Sequence, residues 1–104
     1  TSIYLLTPQY GITVSAPPTF TWRVYGGLRN VFAVDLAFSL SGPLYSTYET
    51  LHLLIDEPTW TMPLAVWNKI PPGKQVYWRV RGVDLDAPPL DIVTYDGVWP
   101  FTKQ

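Results

Sequence analysis

The sequence predicts an all-β protein in which two antiparallel sheets, with about seven strands in total, pack as a sandwich. Short segments alternate between apolar and polar residues with a period of two, which is the pattern of a half-buried strand. Aromatic residues make up 15% of the chain, and aromatic side chains favour the pleated surface of a sheet. Eleven prolines and seven glycines are spread over the 104 residues, which predicts frequent turns and no long helix.

The strands predicted for the first part of the chain have a clear apolar face. Residues 12–14 form a short strand, which ends before the adjacent prolines 17–18. Residues 19–24 alternate strictly. Their predicted core face holds Phe20, Trp22 and Val24. After a turn at the paired glycines 26–27, residues 31–40 alternate again. The core face of that strand is predicted to hold Phe32, Val34, Leu36, Phe38 and Leu40.

The middle of the chain gives two competing signals. Residues 44–56 fit a strand with Leu51, Leu53 and Ile55 on one face. Tyr48, Leu51 and Ile55 would also fit one side of a helix. The length of the segment and the prolines that flank it favour the strand.

The last part of the chain predicts further strands and one short helical turn. Trp60 and Met62 share the face of a short strand, and residues 63–69 predict a helical turn. Residues 75–84 alternate, so their odd and even positions lie on opposite faces of a central strand. The predicted core side chains are Val76, Trp78 and Val80, and the outward ones are Tyr77, Arg79 and Arg81. Residues 93–102 predict a last strand that is broken in its middle.

Composition argues against several function classes. The formal net charge of −1 provides no basic surface for a nucleic acid. The chain has no cysteine, which excludes a disulfide, a thiolate metal site and a cysteine nucleophile. No apolar run approaches the roughly 20 residues of a membrane-spanning helix, so we expect no membrane insertion.

The sequence predicts no catalytic, cofactor or metal site. His52 is the only histidine, and a single histidine between leucines is more often structural than catalytic. Asp84, Asp86 and Asp91 could offer oxygens to Ca²⁺, but their spacing matches no calcium loop and two prolines interrupt it. Solvated turn aspartates are the favoured interpretation.

Four segments resemble successive strands of a fibronectin type III-like domain. These segments are PTFTWRV, VFAVDLAFS, IPPGKQVYWRVRGVD and VWPFTK. The most specific motif is Ile70-x-Pro72-Gly73, followed by the alternating strand 75–84, and Trp22 occupies the place of the family's second-strand tryptophan. The chain departs from the family at Val76, where the family usually has a tyrosine.

The resemblance implies a single immunoglobulin-like sandwich over residues 1–104. The chain begins at Thr1 without a methionine or a signal sequence, so we expect it to be cut from a longer chain. Its closest counterparts in style are the divergent domains of large bacterial secreted or surface proteins, which implies an extracellular or surface location. A non-catalytic spacer or protein-interaction module is then the expected function. Its expected partners are neighbouring domains of the same polypeptide or another protein.

The resemblance also implies a charge pair on the outer side of one sheet. In that fold the third strand pairs with the strand that contains Arg79 and Arg81. Asp35 faces outward on the third strand, so we expect it to approach one of these arginines as an exposed ion pair.

A carbohydrate-binding module is the alternative function, because exposed aromatic rings stack on sugars. Several aromatic residues cannot all be assigned to the core by alternation. The candidate ligand or partner contacts are Tyr45, Tyr48, Trp60, Trp67 and Trp99. The competing interpretation is that the three tryptophans close the ends of the sandwich.

Overall fold

Two β-sheets face each other in the computed structural model of this chain. The structure describes residues 2–26, 29–37, 44–47, 50, 53–85, 92–94 and 98–104. In chain order the elements are β1 (Ser2–Thr7), β2 (Ile12–Val14), β3 (Thr19–Tyr25), β4 (Asn30–Ala37), β5 (Leu44–Ser46), β6 (Thr59–Thr61), α1 (Leu64–Trp67), β7 (Gln75–Asp84), β8 (Ile92–Thr94) and β9 (Trp99–Lys103). The predicted all-β sandwich is confirmed.

The smaller sheet has the order β1-β3-β6, and the larger sheet has the order β2-β9-β7-β4-β5. Neighbouring strands are antiparallel except for β2, which runs parallel to β9. β8 and β9 pair with opposite halves of β7, one after the other. The last strand is therefore broken, as the sequence predicts.

The core lies between the two sheets and is rich in aromatic side chains. Phe20 from the smaller sheet contacts Trp78 and Phe101 from the larger one, with ring centroids 4.9 and 5.9 Å apart. Trp22 contacts Phe32 in the same way, at 5.4 Å. All the predicted core residues of β3, β4 and β7 that the structure describes are buried, apart from the half-buried Val24.

Gly82 lies in close contact with both sheets. It lies on the inward face of β7, where the alternation continues after Val80. A Cβ atom at this position would lie 3.0 Å from Ile3 Cδ1 and 3.1 Å from Phe32 Cδ1. The missing side chain thus leaves room for Ile3 on β1 and Phe32 on β4.

The structure differs from the sequence prediction in two places. β1 was not predicted, and its register slips between Leu5 and Thr7. The predicted strand over residues 44–56 is wrong in its extent. β5 ends at Ser46, Leu53 is exposed, and Ile55 forms only an isolated bridge with Phe32. Phe38 and Leu40, which were predicted to face the core, and Leu51 lie outside the described residues. The predicted helical turn is confirmed as α1.

The two ends of the described chain lie at opposite ends of the sandwich. Ser2 pairs with Tyr25, next to the turn that leads to Asn30, and Asn30 pairs with Asp84. At the other end, the Lys103 ammonium donates hydrogen bonds to the Trp67 and Ile70 carbonyls, at 3.0 and 2.7 Å. The molecule measures 43 × 24 × 24 Å. No helix in the described ranges is long and apolar enough to span a membrane.

Candidate functional site

Two of the candidate aromatic residues, Trp60 and Trp67, are buried. Trp60 stacks on Phe20, with ring centroids 5.6 Å apart and planes at 27°. Trp67 lies in α1 and is covered by the Lys103 ammonium, which is 4.6 Å from its ring centroid. Both residues belong to the core, so neither presents a ring face to a ligand.

Trp99 lies at the border of the core and is half-buried. The Trp99 and Trp78 rings have centroids 6.1 Å apart and planes at 81°. The Trp99 and Tyr10 rings have centroids 6.1 Å apart and planes at 78°. Both contacts are edge-to-face, so the rings of Tyr10 and Trp99 do not form a flat platform. Tyr48 lies outside the described residues.

Tyr45 points towards the core beside its cross-strand neighbour Leu36. Its hydroxyl is buried and finds no hydrogen-bond partner among the described residues. Burial raises the pKa of Tyr45 above its usual value of 10.0 because the phenolate would lose its hydration. The side chain is therefore neutral at physiological pH and contributes to packing.

Of the residues considered for catalysis or calcium, Asp84 alone lies within the described ranges. No group of three or more histidine, cysteine or acidic residues there could hold a metal ion. The Asp84 carboxylate accepts a hydrogen bond from the backbone N–H of Arg29 at 3.0 Å, which ties the end of β7 to the β3–β4 turn. His52, Asp86 and Asp91 lie outside the described residues.

A charge cluster occupies the outer side of the larger sheet. Arg79 Nε donates to Asp35 Oδ2 at 2.9 Å, and Arg81 Nη2 donates to Asp35 Oδ1 at 3.0 Å. Arg81 Nε is also 2.7 Å from Oδ2, but it lacks the alignment of a hydrogen bond. Arg81 Nη2 reaches Ser46 on β5 at 3.2 Å. The predicted pairing of Asp35 with the arginines is confirmed.

The expected exposure of Asp35 is wrong, because its side chain is only 1% exposed. Its outward-facing neighbours on β4, Ala33 and Ala37, are buried as well. These side chains are short, and the longer side chains of β7 that lie beside them in register, Arg81, Arg79 and Tyr77, shield them from water. The cluster links three strands and leaves no carboxylate oxygen open to solvent, so its chemistry is structural.

The outer side of the smaller sheet carries a second cluster, which is exposed. We call Tyr4, Arg23 and Tyr25 the tyrosine–arginine cluster. Tyr4 and Arg23 are cross-strand partners, and the rings of Tyr4 and Tyr25 meet edge-to-face with centroids 5.4 Å apart at 78°. Arg23 Nη1 donates to the Tyr25 hydroxyl at 3.2 Å, and this hydrogen bond raises the pKa of Arg23. The tyrosines are 50% and 52% exposed.

Threonines lie further along this face. Thr7 and Thr21 share a hydrogen bond of 2.6 Å between their hydroxyls, and Thr19 and Thr61 share one of 3.0 Å. The Thr7 hydroxyl also donates to the Thr19 carbonyl at 3.1 Å. Such cross-strand pairs stabilise a sheet. The sequences of β1, β3 and β6 contain no acidic residue, and Arg23 is their only charged residue.

Sequence reasoning missed the tyrosine–arginine cluster. Alternation in residues 19–24 places Arg23 outward, but β1 was not predicted, so Tyr4 had no assigned strand. Tyr25 directly precedes the paired glycines 26–27 and was assigned to the turn that contains them. The alternation of outward residues continues from Arg23 to Tyr25, and this pattern could have placed both side chains on the same face.

Comparisons with protein-family models, with curated proteins and with solved structures return no match for this chain.

Proposed function

We propose that this chain is a non-catalytic, fibronectin type III-like module that acts as a spacer and protein-interaction unit in a multidomain extracellular or surface protein. The observation that carries the proposal is the path of the chain. Ser2 lies at one end of a 43 Å sandwich and Lys103 lies at the other. Segments that continue from both ends would leave in opposite directions, so such modules can be joined end to end.

The strand order gives further support to this proposal. A three-stranded sheet faces a larger sheet in which β7 lies between β4 and β9. Antiparallel sandwiches of the immunoglobulin type divide their strands in a similar way. Trp22 and Trp78, which carry part of the sequence resemblance, are buried in facing sheets.

The carbohydrate-binding alternative has less support. It needs at least two of its five candidate aromatic residues to be exposed and roughly coplanar. Trp60 and Trp67 are buried, and the Tyr45 ring packs against the core. Of the exposed tyrosines, Tyr4 and Tyr25 lie instead on the smaller sheet, and Tyr10 meets Trp99 edge-to-face.

The spacer function predicts an elongated tandem. We expect a protein with two directly joined copies of residues 1–104 to have a maximum dimension about twice the 43 Å of one copy, as measured by small-angle X-ray scattering. Opposite chain ends impose this geometry, and the single copy serves as the reference. Two copies packed side by side, with a maximum dimension near that of one copy, would contradict the proposal. Saturable quenching of tryptophan fluorescence by a soluble neutral polysaccharide would favour the alternative.

A further inference from the structure

We infer that the tyrosine–arginine cluster is a docking surface for an acidic protein segment, in which Arg23 receives a carboxylate between Tyr4 and Tyr25. This inference rests on the proposed interaction function and names its partner. It is carried by the charge, the geometry and the composition of the outer face of the smaller sheet.

The charge of Arg23 is not balanced within the described part of the chain. Its guanidinium donates to the neutral hydroxyl of Tyr25, and no described carboxylate lies within 4.0 Å of it. In contrast, Arg79 and Arg81 share the carboxylate of Asp35. A guanidinium has five N–H donors in a planar fork that matches a carboxylate. Arg23 therefore retains donors for an external acid.

The surroundings of Arg23 favour a protein partner. Tyr25 holds the guanidinium through its hydroxyl, and Tyr4 packs against Tyr25, so less side-chain freedom is lost on binding. Tyrosine and arginine are the residue types enriched at energetically dominant positions of protein interfaces. Leu6 is also exposed and extends the apolar part of this surface along β1.

Two other occupants fit less well. In a symmetric pair with this cluster on the two-fold axis, two positive guanidinium groups would approach each other, and away from the axis the strands of this face would offer Arg23 no carboxylate. A sugar ring needs a flat aromatic surface, whereas the Tyr4 and Tyr25 planes are inclined by 78°. An acidic segment with apolar residues complements both the charge and the rings.

The test is a titration of the isotope-labelled chain with a short acetylated peptide of alternating glutamate and valine, followed by amide chemical shifts. We expect saturable shifts on β1 and β3, and no saturation with the same peptide when glutamine replaces glutamate. Arg23→Gln should weaken binding about tenfold, since a charge-assisted bidentate contact is lost. Arg23 is fully exposed, so the melting temperature of the variant should match that of the parent chain.

Lys74→Gln is the matched control, because Lys74 is exposed at the opposite end of the sandwich and its loss changes the net charge equally. This variant should bind the peptide as the parent chain does. Equal weakening in both variants, shifts centred on Lys69 and Lys74, or no binding would overturn the inference. Binding of an oligogalacturonate but not of the peptide would overturn it in favour of an acidic polysaccharide. None of these binding results depends on the maximum dimension of the protein with two joined copies, so the spacer proposal is tested separately.

Discussion

At the scale of single residues, Asp35 shows how an outward-facing carboxylate comes to be buried. Alternation places it on the outer side of β4, opposite Arg79 in the register. Its other partner, Arg81, lies two residues further along β7 on the same side and holds the second carboxylate oxygen. The loss of hydration is offset by these charge-assisted hydrogen bonds, while both guanidinium groups keep part of their contact with water.

Asp35→Asn should therefore destabilise the fold. The substitution leaves two arginines without their shared carboxylate and places an amide donor against guanidinium donors. Hydrogen bonds to charged groups contribute roughly 1.5–3 kcal/mol. We expect a loss near the lower end of this range because solvent screens the partly exposed arginines. A loss of 1 kcal/mol corresponds to about 4–8 °C in melting temperature for a domain of this size.

The control is Asp56→Asn, which changes a carboxylate at an exposed position and should melt as the parent chain does. Equal melting of both variants would contradict a stabilising role of the cluster.

At the scale of elements, the sequence predicted the core faces of β3, β4 and β7 because bulky apolar residues recur at every second position of each strand. β1 escaped prediction because residues 3–6 are all apolar, and its register slips where Leu6 interrupts the alternation. Residues 44–56 carry two overlapping periods, and the strand period puts Leu53 on one face with Ile55, although Leu53 is exposed and Ile55 is buried. The structure of such segments depends on pairing with strands that are distant in the sequence, and a local pattern does not contain that information.

Gly82→Ala tests the contact between β1 and β7. Overfilling a packed core costs about 1–3 kcal/mol, and the new Cβ would meet Ile3 and Phe32 at 3.0 and 3.1 Å. We expect urea unfolding to show a loss within this range. Ile3→Val removes Cδ1, the atom closest to the new Cβ. The loss in free energy of unfolding of the double variant should therefore be smaller than the sum of the losses of the two single variants. Effects that add within about 0.3–0.5 kcal/mol would mean that the two positions are independent.

At the scale of the whole molecule, the candidate site shows the limit of prediction from sequence. Five aromatic residues were selected because alternation could not assign all of them to the core. Trp60 and Trp67 turned out to be buried by residues far away in the chain, Phe20 and Lys103. The exposed cluster arises from β1 and β3, and Tyr4 and Arg23 become neighbours only when these strands pair. Surface sites of this kind depend on register, which the sequence specified less well than the core faces.

Trp78→Ala should affect the entire fold, because this side chain joins the two sheets. Its ring is fully buried, contacts Phe20 from the opposite sheet at 4.9 Å and supports Trp99 on the neighbouring strand. Truncation of a buried tryptophan costs about 3–5 kcal/mol. A domain of this size has a total stability of about 5–15 kcal/mol. The variant should therefore unfold at a much lower urea concentration, or be partly unfolded without urea, when strand content is followed by circular dichroism.

Trp99→Ala is the matched control, since Trp99 pairs with Trp78 across the strands but is only half-buried. This variant should lose clearly less free energy of unfolding. Equal unfolding midpoints for the two variants would mean that Trp78 does not connect the sheets in the way its contacts indicate.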